Sequence, residues 1–88
     1  MTVVYNKRMA FNHYAKLKRI IEQLPDGWYI RRIDEPTAAR GFNGEMKHFS
    51  HYYRLYTVDS CAVKYGKFQQ IERLATTLGI PVEELPIV

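Results

Sequence analysis

The chain alternates between stretches of helical and strand-like hydrophobic spacing, and the switches mark its elements. Between residues 7 and 24, Tyr14, Leu17, Ile20, Ile21 and Leu24 fall on one arc, with Lys16, Lys18, Arg19, Glu22 and Gln23 on the other. That spacing predicts an amphipathic helix, and Asn6 is placed to cap its start. Pro25-Asp26-Gly27 ends it, since proline cannot continue the helix and glycine permits the turn. Residues 2 to 5 read as a short strand or a tail. Residues 28 to 34 and 48 to 58 are aromatic and β-branched and predict two strands. Between them lies Asn43-Gly44, a pair suited to a tight hairpin turn because both positions tolerate positive φ.

A two-residue turn at Asn43-Gly44 sets a register in which Phe42 faces Glu45, Arg32 faces Leu55 and Ile30 faces Thr57. One face of the hairpin then carries Trp28, Ile30, Phe49, Tyr53 and Leu55. The other carries Tyr29, Arg31, Ile33, Tyr52, Arg54, Tyr56 and Val58. Pro36 lacks the N–H a ladder needs and predicts a bulge, which would shift the register by one and swap some faces. Residues 61 to 65 fit a short third strand or, with Asp59 as cap, the start of the next helix. Residues 67 to 78 predict that helix, with Phe68, Ile71, Leu74, Ala75 and Leu78 on one arc. Gly79 is placed as its left-handed C-terminal residue with Ile80 as the accompanying apolar contact, and Pro81 blocks extension. Val82 to Leu85 suit one last turn.

The expected architecture is therefore α+β. It is a small antiparallel β-hairpin or three-stranded sheet with two main helices packed on one face, in the order α-β-β-(β)-α. Residues 1–88 form a single compact domain, with 35–47 a mobile hairpin tip and 80–88 a C-terminal turn or tail. Both helices have one apolar stripe and need the same sheet face to bury it, which leaves the second face open.

Length supports this picture. Eighty-eight residues with 47% apolar content suffice for one modest core and not for a barrel or a full dinucleotide-binding sheet. The single cysteine, Cys61, excludes an intramolecular disulfide and a paired-thiolate zinc site. It fits a reducing cytoplasm and is expected as a small buried thiol. No apolar run is long enough to span a membrane, and Asn6, Lys7 and Arg8 interrupt any apolar signal core.

Catalytic chemistry finds little support. His48, Ser50 and His51 are close in sequence, but strand alternation sends His48 and His51 to opposite faces, against both a metal pair and a nucleophile–base pair. Gly41 and Gly44 belong to a hairpin tip and not to a phosphate loop. The expectation is a non-catalytic protein with no cofactor and no metal.

Charge is the more informative property. Thirteen Lys and Arg face nine Asp and Glu, a net charge of +4. Seven basic residues against two acids lie in residues 1 to 33, and five against two in residues 47 to 73. Lys7, Arg8, Lys16 and Arg19 on the first helix are candidate phosphate contacts, or simply a solvated face. The second sheet face is sharper. Tyr52, Arg54 and Tyr56 alternate along one strand with Tyr29 and Arg31 beside them, and Arg40 and Lys47 extend the surface at the hairpin tip. Aromatic rings and arginines interleaved on an open sheet can stack bases and neutralise phosphates. The same residues suit a protein hot spot, a homodimer contact, or plain coverage of the sheet. The leading expectation is thus a small regulatory or nucleic-acid-binding module. The alternative is a protein-binding inhibitor or adaptor of the phage or mobile-element type that docks an acidic protein surface on the same face. No membrane partner is expected.

Two local resemblances accompany this reading. Residues 71 to 85, with Leu78-Gly79 followed by Glu83-Glu84-Leu85, resemble the last two helices of repressor-type helix-turn-helix domains. An aromatic hairpin stands where the DNA-reading helices of that family would be, so no DNA-contact residue is carried over. The helix–strands–helix order resembles double-stranded-RNA-binding domains, with Gly66-Lys67-Phe68-Gln69 where that family has a lysine pair.

Overall fold

A computed structural model describes residues 13–41 and 43–88. In chain order the elements are α1 (His13–Gln23), β1 (Tyr29–Ile33), β2 (Thr37–Arg40), β3 (Met46–Phe49), β4 (Tyr52–Tyr56), β5 (Ala62–Phe68), α2 (Ile71–Leu78) and a short 3-10 turn (Val82–Glu84). β1, β4 and β5 form a three-stranded antiparallel sheet in the order β1-β4-β5, and β2 and β3 form a separate two-stranded ladder. Both helices pack on one face of the larger sheet. Positions 2–5, the cap at Asn6, residues 7–12 of the expected first helix and Phe42 lie outside the described residues.

The expected register is wrong by two residues, yet within β1 and β4 the two faces are assigned correctly. Ile30 pairs with Leu55 and Arg32 with Tyr53, not with Thr57 and Leu55. One offset arises at the tip. The Gly41 N–H donates to the Glu45 carbonyl at 2.7 Å and the Gly44 N–H to the Gly41 carbonyl at 3.0 Å, so three residues, not two, separate the last pair. The second arises where the ladder ends at Ile33–Tyr52 and resumes at Thr37–Phe49. There Asp34-Glu35-Pro36 opposes only Ser50-His51, and Pro36 sits at the expected break. Each offset alone would turn every β1 side chain to the other face, and together they restore parity.

The third strand is longer than expected and takes the start of the expected helix. β5 runs to Phe68 and α2 begins at Ile71, so Lys67 and Phe68 are strand residues. Arg54 pairs with Lys67 and Tyr56 with Ala62, so residues 63–66 bulge opposite Leu55. Tyr65 takes φ 63° within this bulge. A Cβ on Gly66 would stand 3.0 Å from the Leu55 Cβ and 3.1 Å from the Val63 carbonyl, so any larger residue would push these neighbours back. The bulge brings Val63, Gly66 and Phe68 all to the buried side. A turn over residues 57–61 precedes it, with Ser60 at φ 66° and the Thr57 hydroxyl donating to Asp59 at 2.8 Å. Cys61, expected to be buried, is exposed at the end of this turn.

The core lies between the helices and the inner sheet face. Leu17, Ile30, Leu55, Phe68 and Leu74 are fully buried at its centre. The Phe68 ring stacks on Tyr53 at 5.6 Å and meets the edge of Tyr14 at 6.4 Å. Tyr14 ties the helices together: its hydroxyl accepts from the Gln70 N–H at 3.2 Å, just before α2. Burial pushes the Tyr14 phenol above its ordinary value, opposed by that hydrogen bond and by Arg73. α2 ends as expected. Gly79 takes φ 75°, and the Gly79 and Ile80 N–H groups donate to Thr76 and Ala75, while Ile80 packs on the core. The C-terminal residues are more than a tail. Ile30 donates to the Pro86 carbonyl and accepts from the Val88 N–H, both at 2.9 Å, so residues 86–88 run parallel to β1 along its free edge.

Candidate functional site

The outer face of the three-stranded sheet carries the side chains that alternate with the core. Arg31 stands directly opposite Arg54, and Arg54 directly opposite Lys67. Three cations therefore form one row across three strands, on neighbouring positions where like charges repel. All nine acids of the chain lie among the described residues, and none forms an ion pair with this row. The one ion pair found there joins Arg32 to Asp34, two residues away on an exposed segment. The Arg54 Nε is shut off from solvent and has no hydrogen-bond partner among the described residues. Buried guanidinium N–H groups are ordinarily satisfied, so this row is held at an energetic cost.

Tyrosines flank the row on both sides. Tyr29 and Tyr56 stack at 5.4 Å with their planes 11° apart, and the Tyr29 hydroxyl donates to Ser60 at 3.1 Å. On the other side the Lys67 ammonium lies 4.3 Å from the Tyr52 ring centroid, and the Tyr52 hydroxyl reaches Glu35 at 3.4 Å. The rings thus border the cations and also engage one another.

The remaining expected site residues are distributed differently. Lys16 and Arg19 are exposed on α1, which covers the inner face, so the thickness of the sheet separates them from Arg31 and Arg54. The Lys16 ammonium lies 4.1 Å over the Tyr65 ring. Arg40 and Lys47 are on the β2–β3 ladder and line a cleft between that ladder, the start of α1 and the start of α2. Lys7 and Arg8 lie outside the described residues. Two contributors escaped sequence reasoning. Lys67 falls within the expected helix, since Lys67-Phe68 fits either period. Arg73 lies on the flank of α2 and enters the cleft only through the packing of the helices.

The Ser50 hydroxyl and His51 Nδ1 are 3.0 Å apart at the break between β3 and β4, and the His51 ring meets the edge of Tyr53. No carboxylate orients that ring among the described residues, and no group of three His, Cys, Asp or Glu there is placed to hold a metal. No helix among them is long and apolar enough to cross a membrane. No protein family, curated protein or solved structure matches the chain.

Proposed function

We propose that the protein is a small non-catalytic module that binds a nucleic-acid strand on the outer face of its three-stranded sheet. The observation that carries this reading is the row Arg31, Arg54 and Lys67, placed side by side with no carboxylate partner. An isolated row of this kind repels itself, and a phosphate backbone laid across it replaces repulsion with attraction. The Tyr52 ring on one side and the Tyr29–Tyr56 pair on the other supply aromatic surface against which bases stack. One specific observation supports a second reading, an acidic protein surface as the partner. The Tyr29 and Tyr56 rings stack into one rigid aromatic patch beside Arg31 and Arg54, residue types enriched among protein-interface hot spots.

Fluorescence anisotropy with a single-stranded oligonucleotide across a salt series separates the two. Three phosphate contacts give a slope of log K against log salt of about −2 for a single strand. Changing Arg54 to Gln reduces that slope by about 0.7. Absence of binding at low salt, or a slope untouched by changes at Arg31 and Arg54, rejects the nucleic-acid reading. Capture of an acidic polypeptide that depends on Tyr56 supports the second.

A further inference from the structure

The edge of the three-stranded sheet carries a second group of cations, gathered around one ring. β5 is the last strand in the order β1-β4-β5, and Tyr65 sits in its bulge with φ 63° and its side chain 59% exposed. A left-handed backbone is uncommon for a bulky residue, and a bulge ordinarily fills such a position with glycine. Here the glycine is the next residue, Gly66, buried against Leu55, while the left-handed position belongs to Tyr65. Such an outlier on an exposed ring points to a use in binding. Two ammonium groups meet this ring. Lys16, from α1, lies 4.1 Å from its centroid, and Lys64, from β5, lies 5.1 Å from it. All nine acids of the chain are among the described residues, and neither lysine forms an ion pair with one. Two like charges held on one ring without a counter-ion repel each other and favour an anion between them.

Taking the outer face as the nucleic-acid site, we propose that the bound strand passes over the β5 edge and lays further phosphates on Lys16 and Lys64. Tyr65 is the positioning residue that holds the two ammoniums together before the strand arrives. Lys67, the last cation of the outer row, is on the same strand as Lys64, three residues and so at most about 10 Å away along it. The basic row on the outer face and the lysine pair at the edge thus form one track that turns a corner. A flexible single strand follows that corner. A duplex, with a persistence length of about 150 bp, does not. The track therefore selects single-stranded over double-stranded nucleic acid.

Fluorescence anisotropy of the full chain with oligothymidylates of about 4 and about 16 nucleotides, across a salt series, tests the proposal. The short strand covers the outer row and keeps a slope of log K against log salt near −2, while the long one reaches the edge and steepens it to about −3.5, about 0.7 for each of five contacts. A Lys16→Gln, Lys64→Gln variant is expected to return the long strand to about −2 and to leave the short one unchanged. Both lysines are exposed, so this variant keeps the core intact. Tyr65→Asn, which the left-handed backbone accepts, is expected to weaken the long strand at least about threefold at an unchanged slope, since both charges remain and only their positioning is lost. A duplex of the same length is expected to bind at least about tenfold more weakly than the single strand. If the Arg31→Gln, Arg54→Gln variant leaves both slopes unchanged, the outer-face reading fails. If that variant lowers them but the Lys16→Gln, Lys64→Gln variant leaves the long-strand slope as it was, the outer face stands and the passage over the edge is overturned. Native affinity in the Tyr65→Asn variant, or a duplex bound as tightly as the single strand, overturns it as well.

Discussion

Replacing Arg54 by methionine should make the protein more stable while impairing binding, a combination that a purely structural arginine does not produce. Arg54 faces Arg31 on one strand and Lys67 on the other, and its Nε is buried without a partner among the described residues. Each directly opposed like-charge pair costs roughly 0.2–1 kcal/mol. An unsatisfied buried donor costs about 1–3 kcal/mol, taken at its low end because the side chain is only half-buried. Methionine keeps most of the aliphatic stem and removes all three terms. The expected gain is about 1.5–3 kcal/mol, which for a domain of this size raises Tm by roughly 6–24 °C. Thermal unfolding followed by circular dichroism at 20 mM and at 1 M salt measures it. At 1 M the Debye length is about 3 Å, so the repulsive share of the gain disappears and only the share due to the Nε remains. Oligonucleotide affinity, measured in parallel, should fall. A variant no more stable than the native protein at low salt would refute the reasoning, because it would mean that Arg54 is adequately partnered.

Three further outcomes follow from the core and the edges of the sheet. Gly66→Ala forces a Cβ to within 3.0 Å of Leu55 and should lower stability by about 1–3 kcal/mol in urea unfolding. The phenol of Tyr14 has a folded pKa raised above 10.0, so its neutral form is favoured in the fold. Its contribution is complete below about pH 10 and is lost as pH rises through the folded value. Tyr14→Phe should therefore cost about 1 kcal/mol at neutral pH, through the orphaned Gln70 N–H, and flatten the alkaline arm of a stability–pH curve. Deleting residues 86–88 removes both partners of Ile30 and should cost about 1–3 kcal/mol, with hydrogen exchange at the Ile30 amide as the local readout.

The local signals were legible where a single element decides them. The Leu78-Gly79-Ile80 ending of α2, the apolar stripe of α1 and the break at Pro36 follow from backbone geometry and period, which a short window of sequence contains. The inner and outer faces were legible too, although the register was not. Side-chain direction depends only on parity, and two single-residue offsets cancel. Two features were not decided by the period of a single element. The bulge at 63–66 exists because Gly66 passes over Leu55, which keeps Lys67 and Phe68 in a strand that their spacing alone also allowed as helix. Cys61 is exposed because the 57–61 turn carries it past the end of the sheet. The sequence alone thus determined an α+β chain with an apolar side and a basic, tyrosine-rich side, since those properties are sums over local pattern. Only the tertiary structure decided that Arg31, Arg54 and Lys67 stand in one row, and that Arg40, Lys47 and Arg73 line one cleft. Pairing and packing bring together residues up to several tens of positions apart, and no window of sequence records that proximity.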